Sequence, residues 1–236
     1  MKKLFFVFIF LSAFIAEGQT LEARVKEFDA YIEKSRILFQ IPGISVAVVK
    51  DGKVLLSKGY GVRELGKPEP VNGQTLFACA STTKAMTATC MAMLVDEGKV
   101  KWDDPVLKYL PDFQLYDPYV TRELKIRDLF THNSGVGNAD FFWSTMRISS
   151  DEILSQMKLV KPSYSLRSDF IYQNIFYQFA GKVIEKVSGM PWEGFIQKRI
   201  FDPLKMTRTY PMLKLVNDVN QSSPHHFVNN KITIIQ

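Results

Sequence analysis

The chain has 236 residues, of which 46% are hydrophobic and 23% charged, with 13 glycines and 11 prolines. That composition excludes a disordered chain, a collagen-like repeat and a coiled coil, and the length suits one large domain or one core with a helical insertion. The net charge of +6 is spread along the chain without a basic run, so no nucleic-acid interface is indicated.

Lys2 and Lys3 precede an apolar run from Leu4 to Ile15, and Ala16-Glu17-Gly18 then supplies small residues. This is the pattern of a secretory signal peptide over residues 1–18. The run is about a dozen residues long, too short to span a bilayer. The expected product is an exported, periplasmic or extracellular domain, residues 19–236, with no stable membrane span after cleavage. Export permits disulfides, but Cys79 and Cys90 flank a predicted helix. Their Cα atoms would lie about 15 Å apart, against a limit of about 7 Å for a bridge. Two buried free thiols are expected. No grouping of ligands suggests a metal site, and the adjacent His225 and His226 read as a solvent-facing loop pair.

Leu21 to Phe39 carries Leu21, Val25, Phe28, Ile32 and Leu38 near helical spacing and predicts an amphipathic helix. Ile41-Pro42-Gly43 breaks it. Ile44 to Val49 and Lys53 to Tyr60 read as strands joined by a tight turn at Asp51-Gly52, and residues 63–76 as a polar loop. A central, buried helix is expected from about Ser81 to Glu97, stopped by Gly98. Prolines and turn-formers interrupt Trp102 to Pro118. Short helices follow at Ile126–Phe130 and at Ser150–Lys158, the latter with Ser150 as cap. Ile175 to Val187 and Trp192 to Ile200 are further helices, and Phe227 to Ile235 reads as two short strands around Asn229-Asn230. The order predicts an α+β fold, with antiparallel sheet at the chain ends and a helical region between.

Four groups of residues bear on chemistry. In Ser81-Thr82-Thr83-Lys84, positions i and i+3 share a helix face, so the lysine can reach the serine hydroxyl. A desolvated lysine can act as its general base, and the helix N-terminus favours a developing oxyanion. The alternative is that Ser81 simply caps the helix. In Tyr172-Gln173-Asn174, the tyrosine and asparagine point to one side of an extended segment. The phenol can exchange a proton with Ser81 and Lys84, and the amide can hold a carbonyl. Alternatively, Asn174 is a helix cap and Tyr172 a half-buried aromatic. Ser155-Gln156-Met157-Lys158 repeats the serine–lysine spacing by chance. Thr131-His132-Asn133-Ser134-Gly135 offers a Ser–His pair without a G-x-S-x-G elbow or an acidic partner, and reads as a structural turn beside the site.

Six segments in order resemble the serine β-lactamase and penicillin-binding-protein family, nearest its class C β-lactamase, D-Ala-D-Ala peptidase and esterase branch. They are Ile44–Tyr60, Phe77–Lys84, Leu94–Leu110 with Asp103-Asp104-Pro105-Val106, Ile126–Gly135, Tyr172–Met190 and Ile200–Thr209. The resemblance spans roughly residues 40–235. It implies a β-lactamase/transpeptidase-like fold and acyl transfer on an amide or ester: a β-lactam, a D-Ala-D-Ala peptide or a small ester. It further implies that Ser81 is the acylated nucleophile, Lys84 its activating lysine, Tyr172 the proton relay and Asn174 the substrate-binding amide, with no cofactor. The partner is a small-molecule or peptide substrate.

The chain departs from the family at Gln173, usually Ser, and at Asn133, usually Thr. It also lacks the later K-T-G or H-x-G triad, so the expected sheet is incomplete and one oxyanion donor is missing. The competing expectation is a non-catalytic scaffold that binds peptidoglycan-like ligands or a partner. It predicts a damaged nucleophile–lysine–tyrosine set, and all three are present.

Overall fold

The computed structural model describes residues 19–140 and 149–235; the expected signal peptide lies outside them. The chain divides into two compact units, one running to Phe77 and resuming at Val219, the other from Ala78 to Asp218.

In the first unit, α1 (Leu21–Leu38) is capped by Thr20, whose side chain accepts from the Ala23 N–H. Of its expected apolar face only Ile32 is buried, while Phe28 and Leu38 are exposed. The helix is held to the neighbouring strand by polar contacts: the Asp29 carboxylate accepts from Lys58 Nζ at 2.9 Å and from the Tyr60 hydroxyl. Strand β1 (Gly43–Lys50) pairs antiparallel with β2 (Lys53–Gly61), from Gly43 opposite Gly61 to Lys50 opposite Lys53. The connecting Asp51 and Gly52 both have positive φ, 50° and 72°, the backbone of a type I′ hairpin turn. Gly61 is obligatory, because a Cβ there would lie 2.1 Å from the Pro42 carbonyl oxygen.

Strands β3 (His225–Val228) and β4 (Lys231–Ile234) form the second hairpin, turned by Asn229 and Asn230 with φ of 48° and 60°. The antiparallel structure at the chain ends is thus two separate two-stranded sheets. The histidine pair opens a strand rather than lying in a loop. His225 is recruited because its Nε2 accepts the Leu65 N–H at 3.0 Å.

The second unit holds the main hydrophobic core. It contains α2 (Thr83–Asp96), α3 (Pro118–Glu123), α4 (Asp128–Thr131), α5 (Ser150–Gln156), α6 (Ile175–Ser188) and α7 (Trp192–Ile196). Helix α6 buries the predicted stripe Ile175, Phe176, Phe179, Ala180, Val183 and Ile184, and ends at the left-handed Gly189. Each of the larger side chains of this stripe contributes about 1.5–3 kcal/mol on burial. Against this stripe lie Cys90, Met91 and Leu94 of α2, Leu124, Ile126 and Leu129 around α4, and Phe195 and Ile196 of α7.

Helix α2 is central but not enclosed. Thr87, Cys90, Met91 and Leu94 are buried, whereas Ala85 is exposed and Ala88, Ala92 and Met93 are half-buried. Helix α7 stops at Ile196 and continues as a π-type turn, Gln197–Phe201. Helix α3 was not expected, although Asp117 and Pro118 signal it: the carboxylate accepts from the Tyr119 and Val120 N–H groups, with proline at the first helical position. The cap of α5 is Ser149, one residue earlier than expected, because Ser149 and Glu152 close a reciprocal capping box. Cys79 and Cys90 are both free, but only Cys90 is buried; burial pushes its thiol up to about 11. No described helix is long and apolar enough to cross a membrane.

Candidate active site

The four expected site residues converge within the second unit. A turn of 3-10 helix, Ala80–Thr82, leads into α2 and carries Ser81. Its first residue, Ala80, has φ of 45°, a left-handed conformation that costs a non-glycine residue about 1–3 kcal/mol. Thr82 steadies the turn by donating its hydroxyl to the Cys79 carbonyl at 2.6 Å. Lys84, on the first turn of α2, donates from Nζ to Ser81 Oγ at 3.0 Å and to Asn174 Oδ1 at 2.6 Å. The Tyr172 hydroxyl lies 2.6 Å from Ser81 Oγ. The ammonium also sits 4.8 Å and 5.3 Å from the ring centroids of Tyr172 and Tyr177.

The capping alternatives do not hold. Ser81 lies inside the 3-10 turn, and neither that turn nor α2 has a side-chain cap. Asn174 occupies the N-cap position of α6 but makes no cap hydrogen bond. Its amide is turned toward Lys84 and, through Nδ2, toward Asp140 Oδ2 at 3.0 Å.

Electrostatics follow from these contacts. The Lys84 ammonium, then the Ser81 hydroxyl, hold the Tyr172 phenol below the ordinary tyrosine value. Burial, followed by the charge on Lys84, lowers His132 from 6.5, so the ring is neutral at pH 7. Its Nδ1 accepts the Gln173 N–H at 3.1 Å, which fixes the remaining ring proton on Nε2. The imidazole lies against the Tyr172 ring, with centroids 4.6 Å apart and planes inclined by 32°. The expected structural turn is present: His132 is the left-handed C-cap of α4, and buried Ser134 accepts from the Val136 N–H. In the second serine–lysine spacing, Ser155 donates its hydroxyl to the Glu152 carbonyl of its own helix.

Three contributors escaped sequence reasoning. Gln173 is fully buried and its Nε2 donates to the Val136 and Gly137 carbonyls at 2.8 and 2.6 Å, clamping the segment after His132 to the Tyr172–Asn174 segment. Asn138 donates to the Tyr172 carbonyl at 3.3 Å and its Oδ1 accepts the Asp140 N–H at 3.0 Å. Asp140 contacts the Asn174 amide. No spacing motif links residues 138 and 140 to 172 and 174; the fold joins them through the buried Gln173 side chain and through direct hydrogen bonds between the two segments.

Residues 23–211 match the family model described as Beta-lactamase, and the chain belongs to that family. Its fold is the β-lactamase/transpeptidase-like fold, with its sheet reduced to two small antiparallel hairpins. Among curated proteins it is 32% identical over 197 residues to unguisins hydrolase ungD of Aspergillus violaceofuscus, covering 80% of this chain and 35% of that protein. It is 29% identical to protein flp of Staphylococcus aureus, covering 78% of this chain and 38% of that one. Among solved structures it resembles the octameric penicillin-binding protein homologue from Pyrococcus abyssi, with 28% identity and a TM-score of 0.79 over 89% of this chain and 50% of that one. The chain therefore spans little more than a third of the length of these curated relatives.

Proposed function

We propose that the chain is an exported serine hydrolase that transfers an acyl group from an amide or ester through an acyl-enzyme on Ser81. The substrate is a β-lactam, a D-Ala-D-Ala peptide or a small ester. The observation that carries this reading is a serine hydroxyl 3.0 Å from a lysine ammonium and 2.6 Å from a tyrosine hydroxyl. A role in the cell envelope or outside the cell rests on the signal-peptide pattern of residues 1–18.

The chemistry follows from the contacts. Lys84 favours the phenolate of Tyr172, which takes the Ser81 proton as Oγ attacks the carbonyl carbon. The Ser81 N–H, at the entrance of α2, faces the developing oxyanion. Tyr172 then returns the proton to the leaving nitrogen or oxygen as its bond to carbon breaks. The same phenolate takes a proton from water as the water oxygen attacks the acyl carbon, and the resulting phenol gives that proton to Ser81 Oγ as the acyl C–O bond breaks, releasing the acid and restoring Ser81. Asn174 holds the substrate carbonyl.

The alternative reading is a scaffold that binds without turnover. Release of nitrophenolate from p-nitrophenyl acetate separates the two. A hydrolase gives a stoichiometric burst followed by turnover, abolished in Ser81→Ala and retained in Ser155→Ala. A scaffold gives release that Ser81→Ala does not change.

A further inference from the structure

We propose that Asp140 is a positioning residue that sets which end of the Asn174 amide faces Lys84; this rests on the hydrolase reading above. An asparagine amide can be turned over with little change of shape, and its two ends differ only in their hydrogen bonds. At Asn174 both ends are specified. Oδ1 accepts from Lys84 Nζ at 2.6 Å, and Nδ2 donates to Asp140 Oδ2 at 3.0 Å. The carboxylate accepts and cannot donate, so it rejects the turned-over amide, which would also bring an NH2 group against the Lys84 ammonium.

Nδ2 carries two hydrogens. With one held by Asp140, the other has a fixed direction and can meet a substrate carbonyl. Asp140 is itself held: its N–H donates to Asn138 Oδ1 at 3.0 Å, and Asn138 Nδ2 reaches the Tyr172 carbonyl at 3.3 Å and Asp140 Oδ2 at 3.5 Å. Gln173 ties that segment down through the Val136 and Gly137 carbonyls. The chain thus runs from a buried glutamine through a carboxylate and an amide to the lysine beside Ser81.

The test is a double-mutant cycle on the full chain, read as the rate of Ser81 labelling by a fluorophosphonate, with the side-chain amide signals of Asn174 followed by nuclear magnetic resonance. Asp140→Ala is expected to slow labelling about tenfold or more, the weight of a hydrogen bond to a charged group. Asp140→Asn, whose amide can donate as well as accept and so no longer rejects the turned-over Asn174 amide, recovers only part of the loss. In an Asn174→Ala background Asp140→Ala has no further effect, and in the otherwise unaltered chain it moves the Asn174 Nδ2 signals. An equal loss in the Asn174→Ala background, or no loss at all, overturns the proposal. If the unaltered chain is not labelled at Ser81, the hydrolase reading fails instead. The amide signals then decide alone: if Asp140→Ala leaves them in place, Asp140 does not orient Asn174.

Discussion

Asn174 stands where a helix cap belongs and leaves the cap unmade. An N-cap side chain contributes about 1 kcal/mol to a helix, and here that stabilisation is forgone for contacts with Lys84 and Asp140. Ala80 shows the same pattern, since its left-handed backbone is unfavourable for alanine and stands immediately before Ser81. Two departures from local preference thus stand at or beside residues proposed to do chemistry. Tyr172 carries the clearest electrical consequence. Its phenol is held below its ordinary value, first by Lys84 and then by Ser81. A lowered value means more phenolate at a given pH, so the phenolate should form below pH 10, the ordinary midpoint for tyrosine. The ultraviolet titration difference between the unaltered chain and Tyr172→Phe should show that early midpoint, and Lys84→Met should move it back up. A midpoint at or above 10 in the unaltered chain would contradict the pairing. Spacing singled out Ser81, Lys84, Tyr172 and Asn174 in the sequence but left capping and packing alternatives open, and their expected roles came from the family resemblance. Asp140 and Asn138 were not legible there, because no spacing relates positions 138 and 140 to 172 and 174 and their proximity arises only in the folded chain.

Among the elements, Arg167, in the stretch leading to α6, is anchored to α4 by a buried carboxylate. Asp128 is 2% exposed and accepts from Arg167 Nε at 3.0 Å, from Arg167 Nη2 at 2.6 Å and from the Lys125 N–H at 2.8 Å. Arg167 also donates its backbone N–H to the Asn133 carbonyl at 2.7 Å, which ties the segment to the turn containing His132. Breaking a buried ion pair costs about 3–5 kcal/mol. Because the guanidinium is 39% exposed and can be rehydrated, Asp128→Ala should lie near the low end, about 3 kcal/mol. Denaturant unfolding measures this directly; a loss below about 1 kcal/mol, the range of surface pairs, would show that the carboxylate is not buried in solution. Helices α1, α2 and α6 were legible within a few residues from apolar spacing and from Gly98 and Gly189. Helix α3 is too short for periodicity to show, and the cap of α5 falls one residue before the expected Ser150 because, of the two adjacent serines, Ser149 pairs with Glu152.

At the scale of the whole molecule, burial is uneven. The second unit contains the cluster around α2 and α6, including Leu94, Ile175, Phe176 and Ile184, each at most 1% exposed. The first unit buries Ile32, Tyr60 and Val71 and has two-stranded sheets, which are marginal by themselves. Amide hydrogen exchange should accordingly show β1 and β2 opening at lower free energy than α2 and α6; equal protection would contradict that ranking. The α+β organisation was legible from the order of elements. That α1 buries so little, and that α2 stays partly open, was not, since the apolar spacing of a helix shows which face seeks cover and not whether cover is supplied. The most direct test of the Ser81 centre is the intact mass of the chain after incubation with a penicillin and, separately, a fluorophosphonate. A single adduct that maps to Ser81 and is absent from Ser81→Ala is the predicted result. A folded chain that remains unmodified by both reagents, or is modified equally in Ser81→Ala, would contradict the assignment of Ser81 as an activated nucleophile.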